Sequence, residues 1–410
     1  MDIFIIITTL FALSSFFGYI NDRWIKLPGV VGVMLLAIIA ALITVFAGKL
    51  VPPFSNLIIE LSSSIDFSKT LLDVMLGFLL FASALKFDVN KLRENLRGVL
   101  IISTVGVLLC TLLFAGLLYY TLFLFSFSIP FIYCLVFGAL VSPTDAVAVS
   151  ALLKKTKMPS RLETIIYGES LFNDGIGIVL FITFVGMAAT PDVQFSITDT
   201  MELFAIEIFG GLLLGLVVGW VAYKMMRRIH DFHTIVMISI TLVMVISVLG
   251  SLIHVSMPLA VVAAGLFISS RSFSKNAESR VQEYLEKIWG LMDELLNTIL
   301  FVLIGLQMIL VSFTVNHLLL GLIAIVILLA ARMLSILLPI ILLRRSLHLQ
   351  YSSIFILTWG GLRGGISVAL ALSLPESPYR EIILSGSFIV VVFSVIVQGL
   401  TLNKVVNKLL

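Results

Sequence analysis

Five ionisable side chains lie deep inside long apolar stretches of this sequence. They are Asp145, Glu169, Asp174, Arg332 and Arg363. An ionised group in such surroundings is costly unless it is paired or hydrated, so each marks a candidate functional site. Buried ion pairs can also brace helices. We predict that Asp145 and Asp174 form an ion site and that Glu169 and Arg332 have a structural role.

The stretch around Asp174 carries two neighbouring polar faces. On a helix Ser170 and Asp174 share one face at positions i and i+4, and Glu169 and Asn173 share the adjoining face. A hard monovalent cation prefers oxygen ligands, and a carboxylate with a hydroxyl one turn away supplies two of them. An apolar packing helix needs neither. The spacing therefore indicates a cation site centred on Asp174.

A proline interrupts the preceding apolar stretch about midway, in the sequence Ser142-Pro143-Thr144-Asp145. Pro143 removes a backbone donor and frees a carbonyl of the preceding turn, so the helix should kink or unwind there. A freed carbonyl and the Asp145 carboxylate can both bind a cation. A simple kink is the alternative, but a kink does not require an adjacent carboxylate.

A second interruption surrounds Arg363, which four glycines flank in the sequence Trp359-Gly360-Gly361-Leu362-Arg363-Gly364-Gly365. Such a run readily breaks a helix. Arg363 could then neutralise the carbonyls and the dipole at the exposed helix end. Close helix packing is the alternative explanation for the glycines, but it leaves the arginine unexplained.

The elements that position these residues must lie in a membrane. Of 410 residues, 60% are hydrophobic and 12% are charged, and the mean hydropathy is +1.17, whereas a soluble domain carries about 25% charged residues. The net charge is only +3, and the lysines and arginines lie in short clusters between the apolar stretches, so no nucleic-acid partner is expected. Cys110 and Cys134 lie in apolar stretches, so we expect neither a disulfide framework nor a thiolate metal site. No cofactor is predicted.

The apolar stretches predict an all-α polytopic membrane protein with about 13 transmembrane helices. They lie near residues 2–20, 29–48, 70–87, 98–121, 130–153, 164–188, 201–226, 234–251, 256–270, 288–312, 316–343, 351–373 and 382–402. The short stretch that begins at Ser256 could instead be re-entrant. The segment from Pro52 to Ile65 could be an interfacial helix.

The basic residues predict the orientation of these spans. Most of the 26 Lys and Arg residues lie in odd-numbered connections, and cytoplasmic loops hold most Lys and Arg. We therefore expect the protein to lie in the cell (inner) membrane, with its N-terminus on the outer side and its C-terminus in the cytoplasm. Because all connections are short, residues 1–410 are expected to form a single transmembrane domain without a soluble domain.

The two interrupted spans are the fifth and the twelfth, which the charge pattern makes antiparallel. Interrupted helices at matching positions in two halves of opposite topology are typical of an inverted-repeat transporter with its site near the midplane. A passive monovalent-cation channel is the alternative. An intramembrane hydrolase is disfavoured, because the sequence lacks His-Glu-x-x-His and because His230 and His233 have no third metal ligand. We therefore do not expect an enzyme.

Three motifs occur together in this chain. They are Ser142-Pro143-Thr144-Asp145-Ala146-Val147-Ala148-Val149, Gly168-Glu169-Ser170-Leu171-Phe172-Asn173-Asp174-Gly175 and Trp359-Gly360-Gly361-Leu362-Arg363-Gly364. In combination they resemble the NhaP-type sodium/proton antiporters, prokaryotic relatives of the animal sodium/proton exchangers. The resemblance covers essentially the whole chain.

The resemblance implies a homodimer with inverted six-helix repeats. Helices 4–6 and 11–13 would form a mobile core in which the broken helices 5 and 12 cross, and the remaining helices would form the dimer scaffold. Movement of the core would exchange Na⁺, or Li⁺ or K⁺ in its place, for H⁺ by alternating access. With Asn173 beside Asp174 instead of a second Asp, the resemblance implies electroneutral exchange.

The resemblance also implies roles for single residues. Cation and proton would compete for Asp174, with Asp145, Ser170 and the backbone of Thr144 as further Na⁺ ligands. Asn173 would hold the unwound fifth span.

Three charged residues would support this site. The resemblance implies that Glu169 pairs with Arg332 as a brace within the core and that Arg363 stabilises the helix crossing. The chain departs from the family at one point: members often carry Glu after Leu-Leu-Phe in the third span, and here Ala82 stands there. A contribution of the third span to the site is therefore left open. Asp73 lies nine residues before position 82 and cannot replace that carboxylate without a change of helix register.

Overall fold

The computed structural model describes residues 3–48, 66–125, 127, 129–145, 158–189, 197–229, 231–271, 278–342 and 351–409. Within these ranges every regular element is a helix. The segment from Pro52 to Ile65 lies outside them, and so does the part of the fifth predicted span beyond Asp145.

The helices follow the predicted spans in order. The first half contains α1 Ile3–Ile20, α2 Gly29–Gly48, α3 Phe67–Lys86, α4 Val89–Leu124, α5 Phe131–Val141 and α6 Ser160–Ala189. The second half contains α7 Ile197–Met226, α8 Phe232–Leu252, α9 Met257–Ser270, α10 Glu278–Met308, α11 Val315–Leu342, α12a Tyr351–Gly360, α12b Gly365–Leu372 and α13 Arg380–Leu409.

Length and apolar character identify the helices that can cross a bilayer. Among the described residues nine helices qualify, and α12a with α12b would make a tenth, bent by 50° at its break. Three shorter apolar helical runs occur at Val31–Thr44, Phe131–Val141 and Met257–Ser270. The prediction of an all-helical polytopic membrane protein is thereby confirmed, while the count of thirteen spans stays a prediction.

Helix α4 begins well before the apolar stretch from which it was predicted. Asp88 caps its N-terminus, because its carboxylate accepts hydrogen bonds from the backbone N–H groups of Asn90 (2.9 Å) and Lys91 (3.4 Å). The first turns are polar and strongly basic. Counting apolar residues finds only the part of a helix that lies in lipid, so this polar extension was not predicted.

Close packing of the helices positions the candidate residues. Helix α6 packs against α4 and α5, α11 packs against α4 and α13, and α12b contacts α5. Two glycines of α6 permit this approach: a Cβ on Gly177 would overlap the ring of Pro143, and one on Gly168 would lie 2.9 Å from Val99 of α4. The centre of α6 is therefore held directly against the interruption of the fifth span.

Candidate ion site

The interruptions of the fifth and twelfth spans lie side by side. Helix α5 ends at Val141, and the backbone N–H of Asp145 donates a hydrogen bond to the carbonyl of Leu362, in the break between α12a and α12b, over 2.8 Å. Each group lies at a break in its span, and the hydrogen bond satisfies one with the other. The structure thus brings together two of the three motifs.

Arg363 lies among the carbonyls of both breaks. Its guanidinium donates to the carbonyl of Val141, at the end of α5, and to the carbonyl of Gly361, just after α12a. The side chain is fully buried. A positive charge is favourable at the C-terminal end of a helix. Arg363 therefore stabilises the C-terminal ends of α5 and α12a, a role that close packing of the glycines does not explain.

Three residues of α6 face this junction. Ser170, Asn173 and Asp174 are all buried. The hydroxyls of Ser170 and Thr144 are 2.8 Å apart, and the Asn173 amide donates to the Thr144 hydroxyl over 2.7 Å. Thr144 therefore joins the non-helical segment after α5 to the polar face of α6.

Asp145 and Asp174 lie close enough for their charges to interact. Asp145 is half-buried, and its carboxylate lies directly against Gly364, where a Cβ would overlap it. Together with the hydroxyls of Thr144 and Ser170, the two carboxylates form a set of hard oxygen donors of the type that a monovalent cation prefers. This set lies at the crossing of two helix interruptions.

Glu169 and Arg332 form a two-pronged ion pair. The atom pairs Arg332 Nη1 to Glu169 Oε1 and Arg332 Nη2 to Glu169 Oε2 are separated by 2.6 and 2.7 Å. Both side chains are buried. The pair ties α6 to α11, and the Glu169 carboxylate is neutralised by a guanidinium and not left for a cation.

The third span offers no side-chain oxygen at the position where the family often has Glu. Ala82 is fully buried in an apolar cluster that includes Leu171, Ala260 and Trp289. Asp73 is exposed. Position 82 therefore contributes packing.

Sequence reasoning missed a row of polar residues on α13. Ser394 accepts a hydrogen bond from the backbone N–H of Arg363 (2.8 Å), Gln398 donates to the carbonyl of Trp359 (3.2 Å), and Thr401 accepts from the Trp359 indole (2.9 Å). Their spacing of four and three residues on an apolar helix is the signal that could have found them. The segment Ser394–Gln398 is a π-bulge, a feature often found at functional sites.

A second ion pair lies between α3 and α10. Lys86 Nζ is 2.7 Å from Asp293 Oδ2, and the Asn297 amide donates to Asp293 Oδ1 over 2.8 Å. Lys86 thus compensates the charge of Asp293, which lies near a predicted span end. Separately, Tyr167 of α6 stacks on Phe87, with the ring centroids 5.2 Å apart.

The described residues contain no group of three or more His, Cys, Asp or Glu that could hold a metal ion. His233 is exposed, and His230 lies outside the described ranges. The alternative of an intramembrane hydrolase with a metal site gains no support from this part of the chain.

Comparison with known proteins identifies the family. The family model described as "Sodium/hydrogen exchanger, transmembrane" matches residues 11–408. The chain belongs to the sodium/hydrogen exchanger family. This exchanger is 39% identical over 409 residues to the Na(+)/H(+) antiporter NhaP of Pseudomonas aeruginosa, covering 98% of this chain and 96% of the relative. It is 30% identical over 348 residues to the Na(+)/H(+) antiporter NhaH of Halobacillus dabanensis, covering 84% of each.

A solved structure has the same fold as this exchanger. The sodium proton antiporter MjNhaP1 from Methanocaldococcus jannaschii superposes with a TM-score of 0.77 at 19% identity, covering 100% of this chain and 99% of that one. The resemblance to NhaP-type antiporters is confirmed, and the family is one of transporters, not enzymes.

Proposed function

We propose that this exchanger moves Na⁺ and H⁺ in opposite directions across the membrane through one site that alternates between the two ions. Asp174 binds either the cation or the proton. Asp145, Ser170 and Thr144 supply the remaining oxygen ligands for Na⁺, and Li⁺ or K⁺ are alternative cargoes. The observation that carries this proposal is the junction at which Asp174, Asp145 and the Thr144–Ser170 hydroxyl pair meet two broken helices.

Charge explains why the two ions compete. Two neighbouring carboxylates in buried surroundings repel one another, and either a bound cation or a bound proton relieves that repulsion. Once one ion has relieved the repulsion between the carboxylates, the other ion is bound less favourably. Each ion therefore lowers the apparent affinity of its competitor. No direct contact between the two ions is required.

The supporting residues keep this site in shape. Asn173 holds the non-helical segment after α5 through Thr144, Arg363 stabilises the crossing of the two breaks, and Glu169 with Arg332 braces α6 against α11. With Asn173 contributing no charge, one Na⁺ replaces one H⁺ and exchange is electroneutral.

The architecture of the proposal is an inverted pair of six-helix repeats within about 13 spans. Helices α4 to α6 and α11 to α13 form a core that moves against a scaffold of the other helices, and the scaffold joins two copies in a homodimer. The N-terminus lies outside the cell and the C-terminus in the cytoplasm. Contacts of α6 with α4 and α5, and of α11 with α4 and α13, support the grouping of the core helices.

Sodium-driven proton flux in proteoliposomes tests the site. An outward or inward Na⁺ gradient should drive uphill H⁺ movement with the unaltered protein and none with Asp174→Asn. Glu283→Gln, which alters an exposed ion pair on α10, is the matched control and should retain full flux. Exchange that survives Asp174→Asn would refute the assignment. A passive cation channel would instead conduct Na⁺ without driving protons uphill.

A further inference from the structure

A cavity of about 560 Å³ opens between the first turns of α4 and α6, away from the ion site. Four cationic side chains line it, namely Lys91, Arg93, Arg97 and Arg161, against one acidic side chain, Glu94. Polar and charged groups dominate its wall. The excess of positive charge in a concave site selects an anion, and several arginines favour phosphate in particular, because guanidinium groups match its oxygens.

The cavity lies where the sequence of α4 changes from polar to apolar. Its basic residues belong to the polar first part of the helix, and Leu96 and Leu100, beside them on the same helix, are 38% and 41% exposed. The next part, Val107–Leu124, is almost wholly apolar. A ligand that contacts both the basic cavity and the apolar surface beside it needs an anionic head and an apolar tail.

We propose that this cavity binds the phosphate headgroup of an anionic phospholipid, whose acyl chains lie along the exposed leucines of α4. The N-terminal end of α6, which begins at Ser160 in the cavity wall, adds a favourable dipole to the four cations. Basic pockets between membrane helices are a known form of lipid recognition. The bound lipid would bridge α4 and α6, the helix that carries Asp174. Binding itself is independent of the ion exchange proposed above.

Two pairs of exposed arginines allow a matched test. Arg93→Gln with Arg97→Gln removes two charges from the cavity, and Arg227→Gln with Arg228→Gln removes two exposed charges just beyond α7, outside it. The purified proteins are titrated in neutral detergent with phosphatidylglycerol and with phosphatidylcholine of the same acyl chains. Retained lipid is counted by native mass spectrometry, and gel filtration checks that each variant is folded.

We expect the unaltered protein to retain phosphatidylglycerol in preference to phosphatidylcholine. A cation held against the lipid phosphate contributes at least about a fivefold gain in affinity, so the cavity variant should lose about 30-fold. The two control arginines line no part of this cavity, so their loss should lower the affinity less than about twofold. Equal losses in the two variants would overturn the proposal, because they would indicate general surface charge. So would equal retention of the two lipids. A third arm adds inorganic phosphate: if it displaces phosphatidylglycerol at equal concentration, the site binds free phosphate and not a lipid.

Discussion

The backbone N–H of Asp145 and the carbonyl of Leu362 are hydrogen-bonded over 2.8 Å, and this bond ties the interruption of the fifth span to that of the twelfth. Asp145 also presses its carboxylate against Gly364. The position of a proposed sodium ligand thus depends on the backbone of a helix far away in the sequence. Changes in the break of the twelfth span should therefore alter cation binding without touching a carboxylate.

Gly364→Ala tests this dependence. The new methyl group would overlap the Asp145 carboxylate, and such overpacking costs about 1–3 kcal/mol. We expect the apparent Na⁺ affinity to fall about tenfold, which corresponds to about 1.4 kcal/mol. The measurement is Na⁺-dependent proton flux in proteoliposomes over a range of Na⁺ concentrations.

Gly360→Ala is the control for Gly364→Ala, because its methyl group would make only ordinary contacts, at 3.6 Å with Ile166 and 3.7 Å with Leu402. It should leave the Na⁺ affinity unchanged. If both alanine variants behave alike, the effect belongs to glycine flexibility and not to the contact with Asp145.

Breaking the Glu169–Arg332 pair should destabilise the fold. Glu169→Gln leaves the Arg332 charge buried without its partner, and loss of one member of a buried pair costs about 3–5 kcal/mol. The melting temperature in detergent should drop clearly. Adding Arg332→Met to Glu169→Gln should recover part of that loss, because the orphaned charge is gone.

The exposed Glu283–Lys287 pair provides the comparison for this prediction. Glu283→Gln should leave the melting temperature unchanged, since solvent screens exposed pairs. A double variant that is no more stable than Glu169→Gln alone would show that the uncompensated Arg332 charge is not what destabilises the single variant.

Asn173→Asp should change the charge balance of transport. A third acidic group next to Asp145 and Asp174 would keep one more negative charge at the site, so that exchange moves net charge. It would also remove the amide that donates to Thr144. We expect a Na⁺ gradient to generate a membrane potential with this variant, recorded with a voltage-sensitive dye. Exchange that stays insensitive to an imposed potential would contradict the charge argument.

Ser394→Ala should weaken cation binding because Ser394 holds the backbone of Arg363 in the break of the twelfth span. The backbone N–H of Arg363 would lose its acceptor in a buried position, which costs about 1–3 kcal/mol. We expect a lower melting temperature together with a lower apparent Na⁺ affinity. Ser373→Ala is the control, because that exposed hydroxyl donates to the Leu370 carbonyl of α12b, the helix that it directly follows. An unchanged Na⁺ affinity in Ser394→Ala would limit α13 to a packing role.

The sequence alone determined the class of the protein and the residues worth testing. Apolar length predicts membrane helices because lipid leaves no other partner for the backbone, and periodicity of 3.6 residues places Ser170 and Asp174 on one face. Pro143 and the glycines around Arg363 predict where helices stop. These inferences rest on interactions within one helix, which a linear sequence specifies directly.

Only the tertiary structure decided which helices meet and at what height. The bond from Asp145 to Leu362, the room that Gly364 leaves for a carboxylate and the acceptor that Ser394 provides all join residues distant in sequence. Helix register depends on side-chain packing over whole surfaces, and many registers satisfy the same periodicity. The chemistry of the site could thus be read from the sequence, while its geometry required the packed helices.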